Sequence, residues 1–206
     1  MPDLTVDHLI TIPYLRRRNA CCSKLGERYD DEHLTALGFG AGLTPLAVCD
    51  IESVPAEDRA WVLLHEDWIR SAELRLLTCR WARRELSRER AAGREPDTRS
   101  WAAVETAERY SRENATSTQL DTSETAAWAA SWAASWAASG EDEDDPTVLA
   151  AWYSARVANL DTSEAADWAV ARAADPDASG TAQLADIRRV LTGEWTAENY
   201  QEWRDA

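Results

Sequence analysis

The sequence predicts an all-α protein of about nine to ten helices, with a 40-residue helical repeat near its C-terminal end. Three observations lead there. Apolar residues recur at three- and four-residue spacing nearly throughout, as in Leu74, Leu77 and Trp81. Proline, glycine and acidic capping residues punctuate that pattern at helix-length intervals. A block near residue 120 returns near residue 160 with its capping residues in place. At 206 residues and 23.0 kDa the chain fits one compact domain. Two subregions are expected within it: a helical part over 1–95 and an Ala- and Trp-rich acidic part over 96–206.

In chain order, Leu4, Val6, Leu9, Ile10 and Ile12 cluster before Pro13. The stretch 14–28 reads as a helix with Arg16, Arg17 and Arg18 on a solvated side, and 31–37 as a short helix. Gly38, Gly40 and Gly42 end it, because closely spaced glycines favour a turn. With no strand before them and no lysine after them, they read as a loop between helices, not as a phosphate loop. Pro55 opens the next helix, with Glu57 and Asp58 in its first turn where acids complement the dipole. Trp61, Leu64 and Trp68 form its apolar stripe. A longer helix starts near Ser71 and runs to about Ala91. Its expected outer face holds Arg75, Arg80, Arg83, Arg84, Arg88 and Arg90, with Glu73, Glu85 and Glu89 offsetting them. Residues 93–97 are a linker and 98–113 the next helix.

The repeat sets Leu120-Asp121-Thr122-Ser123-Glu124 against Leu160-Asp161-Thr162-Ser163-Glu164. Each copy opens with an Asp-x-x-Glu box, in which the aspartate caps a helix and the glutamate reaches back. Such a unit suits a helical hairpin stacked on its neighbour or a duplication inside one domain. Inside the first copy, Trp128, Trp132 and Trp136 recur every four residues with alanines between them. On a helix this spacing drifts about 40° per unit and makes one slanted ridge. Trp168 repeats Trp128 in the second copy. A packed spine is the leading reading of the ridge; a ligand-stacking groove or a partner face are the others. Glu141, Asp142, Glu143, Asp144 and Asp145 then run as five acids before Pro146. A run of this kind reads as a solvated loop that can present carboxylates to a basic protein.

The formal charge is -15, from 22 basic and 37 acidic residues. So acidic a chain is not expected to hold nucleic acid directly through phosphate neutralisation. The charge is uneven: residues 115–206 hold 5 basic and 17 acidic side chains. No run reaches the roughly 20 apolar residues of a membrane span, and the first residues do not read as a signal peptide, so no membrane association and a cytoplasmic protein are expected. Cys21, Cys22, Cys49 and Cys79 show no metal or redox spacing and read as reduced thiols. His65-Glu66 lies in a predicted helix without the zinc-protease spacing, and no nucleophile elbow is present. No catalytic residue, cofactor or metal is therefore expected, and the reading leans away from an enzyme.

The segments "PYLRRRNACCSKLGERY", "LLHEDWIRSAELRLLTCRWARREL" and "AVETAERYSRENATSTQL", followed by the Ala- and Trp-rich helix, resemble the immunity proteins of the immunity-five-like type. These occur in bacteria and in phage genomes. The resemblance spans roughly 10–139 and implies a helical immunity factor of a toxin system; it supplies no catalytic residues. Members continue in a long Ala-rich run, where this chain has its acidic run and second capped helix. The expectation is a protein-binding immunity or inhibitor factor that neutralises a toxin or defence protein with a basic surface. The five acids at 141–145 are its first candidate contact. The alternatives are a DNA-mimic inhibitor, a small-molecule binder or enzyme with a Trp-lined pocket, and a structural assembly module.

Overall fold

A computed structural model describes residues 9–18, 29–112, 115–119, 121–122 and 176–204, the side chains of Glu57 and 176–180 excepted. The described residues are mostly helical. α1 spans Ile12–Arg17, α2 Asp31–Ala36, α3 Pro45–Cys49 and α4 Ala56–Leu63. α5 spans Ser71–Ala91, α6 Thr98–Ser111, α7 Pro176–Leu191 and α8 Tyr200–Trp203. α5 packs along α6, and α7 packs against α4 with further contact to α3 and α5.

Local chemistry sets the short helices. The Thr11, Asp30 and Thr44 side chains each accept a hydrogen bond from a backbone N–H of the following first turn. Pro13 and Pro45 sit in first turns, where a missing N–H costs nothing. Asp97 caps α6 by accepting from Arg99 N at 2.8 Å. The glycine-rich stretch is the expected loop, and it has a task. Gly38 and Gly42 take φ of 101° and 89°, bringing Leu43 back to Ile10 in an isolated antiparallel bridge with N–O distances of 2.8 and 3.0 Å. A Cβ on Gly42 would lie 2.7 Å from Leu9 Cβ, whereas one on Gly93 (φ 81°) would meet nothing within 4 Å. Gly93→Ala therefore costs about 1 kcal/mol of backbone strain alone. Gly42→Ala costs that and the clash, and the difference between their urea unfolding free energies reads the clash directly.

One core cluster draws on Ile10 and Leu15, on Leu63, Leu64, Trp68 and Ile69, on Leu74, Leu77 and Trp81, and on Ile187, Trp195, Tyr200 and Trp203. It takes residues from both sides of position 95.

Several expectations are corrected. The helix expected over 14–28 begins at Ile12 and stops at Arg17, with Arg18 as its C-cap. Only Arg17 of its three arginines is exposed. Arg16 donates to Asp31 and to the Tyr29 carbonyl, and Arg18 lies 5.1 Å over the Trp61 ring. Trp61, Leu64 and Trp68 do not share one helix. α4 stops at Leu63, Leu64 turns out with ψ of 72°, and the N–H groups of Trp68 and Ile69 both donate to the His65 carbonyl. That turn sends Leu64, Trp68 and Ile69 into the core together, which a continued helix would not. His65 accordingly sits in a turn, not in a helix.

On α5 the expected outer face is partly an inner one, because Arg75 and Arg80 are buried. Each guanidinium has an aromatic face to lie on: Tyr110 at 4.7 Å for Arg75 and Trp195 at 4.8 Å for Arg80. Of the three glutamates, Glu73 and Glu89 are buried and pair with Arg70 and Arg94, while Glu85 pairs with Arg88. α6 ends at Ser111, short of 113.

The first capping box is displaced as well. Gln119 Oε1 accepts from Thr116 N at 2.9 Å and Thr116 Oγ1 accepts from Gln119 N at 3.3 Å, a reciprocal box five residues early. Residues 117–119 and 121–122 are already helical, so Asp121 follows the cap instead of forming it. The rest of the repeat lies outside the described residues.

Candidate functional site

The tryptophans Trp128, Trp132, Trp136 and Trp168 and the acids Glu141, Asp142, Glu143, Asp144 and Asp145 lie outside the described residues. The described part offers two cavities and a set of buried ion pairs.

The larger cavity, about 550 Å³, lies between α1 and the turn at 65–70. Thr11 and Pro13 start α1 so that Tyr14 and Arg18, one helical turn apart, share a face. The turn supplies Asp67 and Trp68, and Leu9, Thr11 and Arg17 complete the wall. The Tyr14 ring meets Trp68 edge-on at 5.2 Å and His65 at 6.4 Å. Trp68 Nε1 and Arg18 Nη1 are buried without a hydrogen-bond partner, and the buried Tyr14 hydroxyl lies beside the Asp67 carboxylate and the Arg18 guanidinium. Burial, the largest influence, pushes the Tyr14 phenol up to about 12. The Asp67 carboxylate beside it adds to that rise and Arg18 opposes it, so the hydroxyl keeps its proton.

His65 borders this cluster. Its Nδ1 lies 3.2 Å from Asp67 N and 3.1 Å from Asp67 Oδ2, so the backbone N–H favours a bare nitrogen there and the carboxylate a protonated one. Burial first, and the Arg18 charge second, hold its pKa below the ordinary 6.5. For a base, a lowered folded pKa means that the unfolded chain binds protons first. The stability this neutral ring contributes is present above pH 6.5 and is lost as pH falls from there through the lowered folded value. An NMR titration should place the His65 midpoint below 6.5, and Arg18→Gln should move it upward.

The smaller cavity, about 50 Å³, lies among α1 to α4 against Leu15, Leu34, Phe39, Val48 and Trp61. At its edge the Tyr29 hydroxyl donates to Asp58 at 2.7 Å. It has room for a water or two and not for a metabolite.

No protein-family model, no curated protein and no solved structure matches this chain. The chemistry is therefore read from its own residues. Among the described residues no group of three or more His, Cys, Asp or Glu side chains is placed to hold a metal ion, and no helix is long and apolar enough to cross a membrane.

The third feature is the way the described carboxylates are matched to arginines. Asp186 on α7 accepts from Arg80, Arg84 and the Trp81 indole, Glu108 from Arg83 and Tyr200, and Glu73 from Arg70 and the Ala197 N–H. Asp50, Glu95 and Asp97 have Arg188, Arg90 and Arg99 at the surface. The free Cys49 and Cys79 thiols are buried. Burial pushes Cys49 up to about 11 and Cys79 well above its ordinary value, so both are poor nucleophiles.

Sequence reasoning missed the larger pocket. Its two walls are about fifty positions apart, and Tyr14, Arg18, Asp67 and Trp68 form no motif. The only signal was the density of aromatic and arginine residues within "PYLRRR" and "HEDWIR".

Proposed function

We propose that the chain is a protein-binding immunity or inhibitor factor, acting in the bacterial cytoplasm, that neutralises a basic toxin or defence protein through acidic surface. The charge distribution carries this reading. The described scaffold matches most of its buried acids to its own arginines, whereas residues 123–175 hold 10 acidic and 2 basic side chains. Half of those ten acids are the run Glu141, Asp142, Glu143, Asp144 and Asp145. A net charge of one sign gives a basic partner a complementary field, which raises the association rate and disfavours wrong partners. The free thiols of Cys49 and Cys79 agree with a reducing compartment. The resemblance over roughly 10–139 points the same way.

Capture of the tagged chain from nuclease-treated native lysate, at low and at high salt, tests the reading. A stoichiometric basic toxin or defence protein that is lost at high salt is the expected result. No stoichiometric partner at either salt, with a monodisperse particle, would contradict it.

A further inference from the structure

We propose that residues 194–204 form a C-terminal strap that lifts from α5 and α6 as one unit while the rest of the core stays folded. The segment follows Gly193, which takes φ of 75° with nothing within 4 Å of where a Cβ would stand. A glycine in open space lets the chain pivot there without a clash.

The strap is bonded to itself. Thr196 N donates to Asn199 Oδ1 at 2.8 Å and Asn199 N to Thr196 Oγ1 at 3.4 Å. Asn199 Nδ2 donates to the Glu194 carbonyl at 2.9 Å, and the Trp203 indole donates to Asn199 Oδ1 and to the Thr196 carbonyl, both at 3.1 Å. The Trp195 and Trp203 rings stack at 4.7 Å, and Tyr200 meets Trp203 edge-on. A segment cross-linked in this way opens together instead of fraying residue by residue.

Its seat is made of charges that are matched without it. Glu73 accepts from Ala197 N, Arg80 donates to the carbonyls of Trp203 and Arg204, and Glu108 accepts from the Tyr200 hydroxyl. Each of the three has an ion-pair partner outside the strap, namely Arg70, Asp186 and Arg83. Lifting therefore strands no charge, and a stranded charge is what makes breaking a buried pair so costly. The remaining polar tethers are the Trp195 N–H on the Arg189 carbonyl and the surface pairs Arg189–Glu194 and Arg70–Glu198. Opposing the motion is the burial of Trp195, Tyr200 and Trp203 against the main core, so the lifted form is a minor one. It presents Glu73, Arg80 and Glu108, which the closed form hides. This inference does not depend on the protein partner proposed above.

Native-state hydrogen exchange of the full chain, followed by NMR in low urea, tests it. The Ala197, Glu202 and Arg204 amides should share one opening constant, about tenfold or more larger than that of Leu76 and Leu77 in α5, and with a weaker urea dependence. Gly42→Ala, which strains the loop against Leu9, should raise the opening of the α5 amides and leave the strap amides unchanged. Tyr200→Phe removes one tether of the closed form and should raise both by the same factor. Exchange that climbs steadily from Ala197 to Arg204 would mean fraying and overturn the proposal. So would strap amides that share the opening constant and urea dependence of α5, that follow α5 in Gly42→Ala, or that do not respond to Tyr200→Phe.

Discussion

Asp186→Ala should lower the unfolding free energy by about 3–5 kcal/mol, the usual result of removing one partner from a buried ion pair. Asp186 is 2% exposed and Arg80 is 6% exposed. The carboxylate accepts from Trp81 Nε1 at 3.0 Å, from Arg84 at 3.2 Å and from Arg80 Nε at 3.3 Å. Arg80 in turn donates to the carbonyls of Trp203 at 2.6 Å and Arg204 at 3.1 Å, and stacks on Trp195. Deleting the carboxylate thus leaves an indole without that acceptor and takes from a buried guanidinium the carboxylate it donates to. The loss extends to the docking of α8, which Arg80 holds. Asp186→Asn keeps an acceptor for Trp81 and loses the charge, so it should fall between the wild type and the alanine variant. Urea unfolding at pH 7 measures both. A loss below about 1 kcal/mol for the alanine variant would mean that the site is open to water.

The second large effect is expected at Glu108. It is 3% exposed and accepts from Arg83 Nε at 2.5 Å, Arg83 Nη2 at 2.9 Å and the Tyr200 hydroxyl at 2.6 Å. Burial first, then the neighbouring Cys79 and Glu108, push the Tyr200 phenol far up, so it remains a donor at every ordinary pH. Glu108→Ala should again cost about 3–5 kcal/mol, because Arg83 is left half-buried without its carboxylate. Tyr200→Phe removes one hydrogen bond to a charged acceptor and should cost about 1.5–3 kcal/mol. In a double-mutant cycle, Tyr200→Phe should cost far less once Glu108 is alanine. Additive losses would show that Tyr200 stabilises by packing against Trp203, whose ring it meets at 4.6 Å, and not through Glu108.

These two clusters also show what a sequence can reveal. The bounds of α5 were legible to the residue, and α2 nearly so, because period, caps and breaking glycines are local and agree with one another. The stripe of Trp61, Leu64 and Trp68 fits a helix equally well on paper. The chain turns there because one turn over the His65 carbonyl buries Leu64, Trp68 and Ile69 together, a tertiary gain that no local spacing expresses. Arg75 and Arg80 looked like solvent-facing charges. What buries them is Tyr110, Asp186 and Trp195, the last two more than a hundred positions away from Arg80. The pocket at Tyr14 and Trp68 was illegible for the same reason, since neither wall carries a signature alone. The early cap at Thr116 is a different case. Thr116 and Gln119 have the capping-box spacing as plainly as Asp121 and Glu124 do, and the repeat drew attention to the later pair.

The central claim is that the excess of acid within residues 123–175 recognises a basic protein. The most direct test compares the wild type with the variant E141Q/D142N/E143Q/D144N/D145N for affinity to the captured partner across a salt series. The account predicts that the variant binds roughly tenfold or more weakly at low salt, with a shallower salt dependence, and that the two converge at high salt. Equal affinity and equal salt dependence would contradict it.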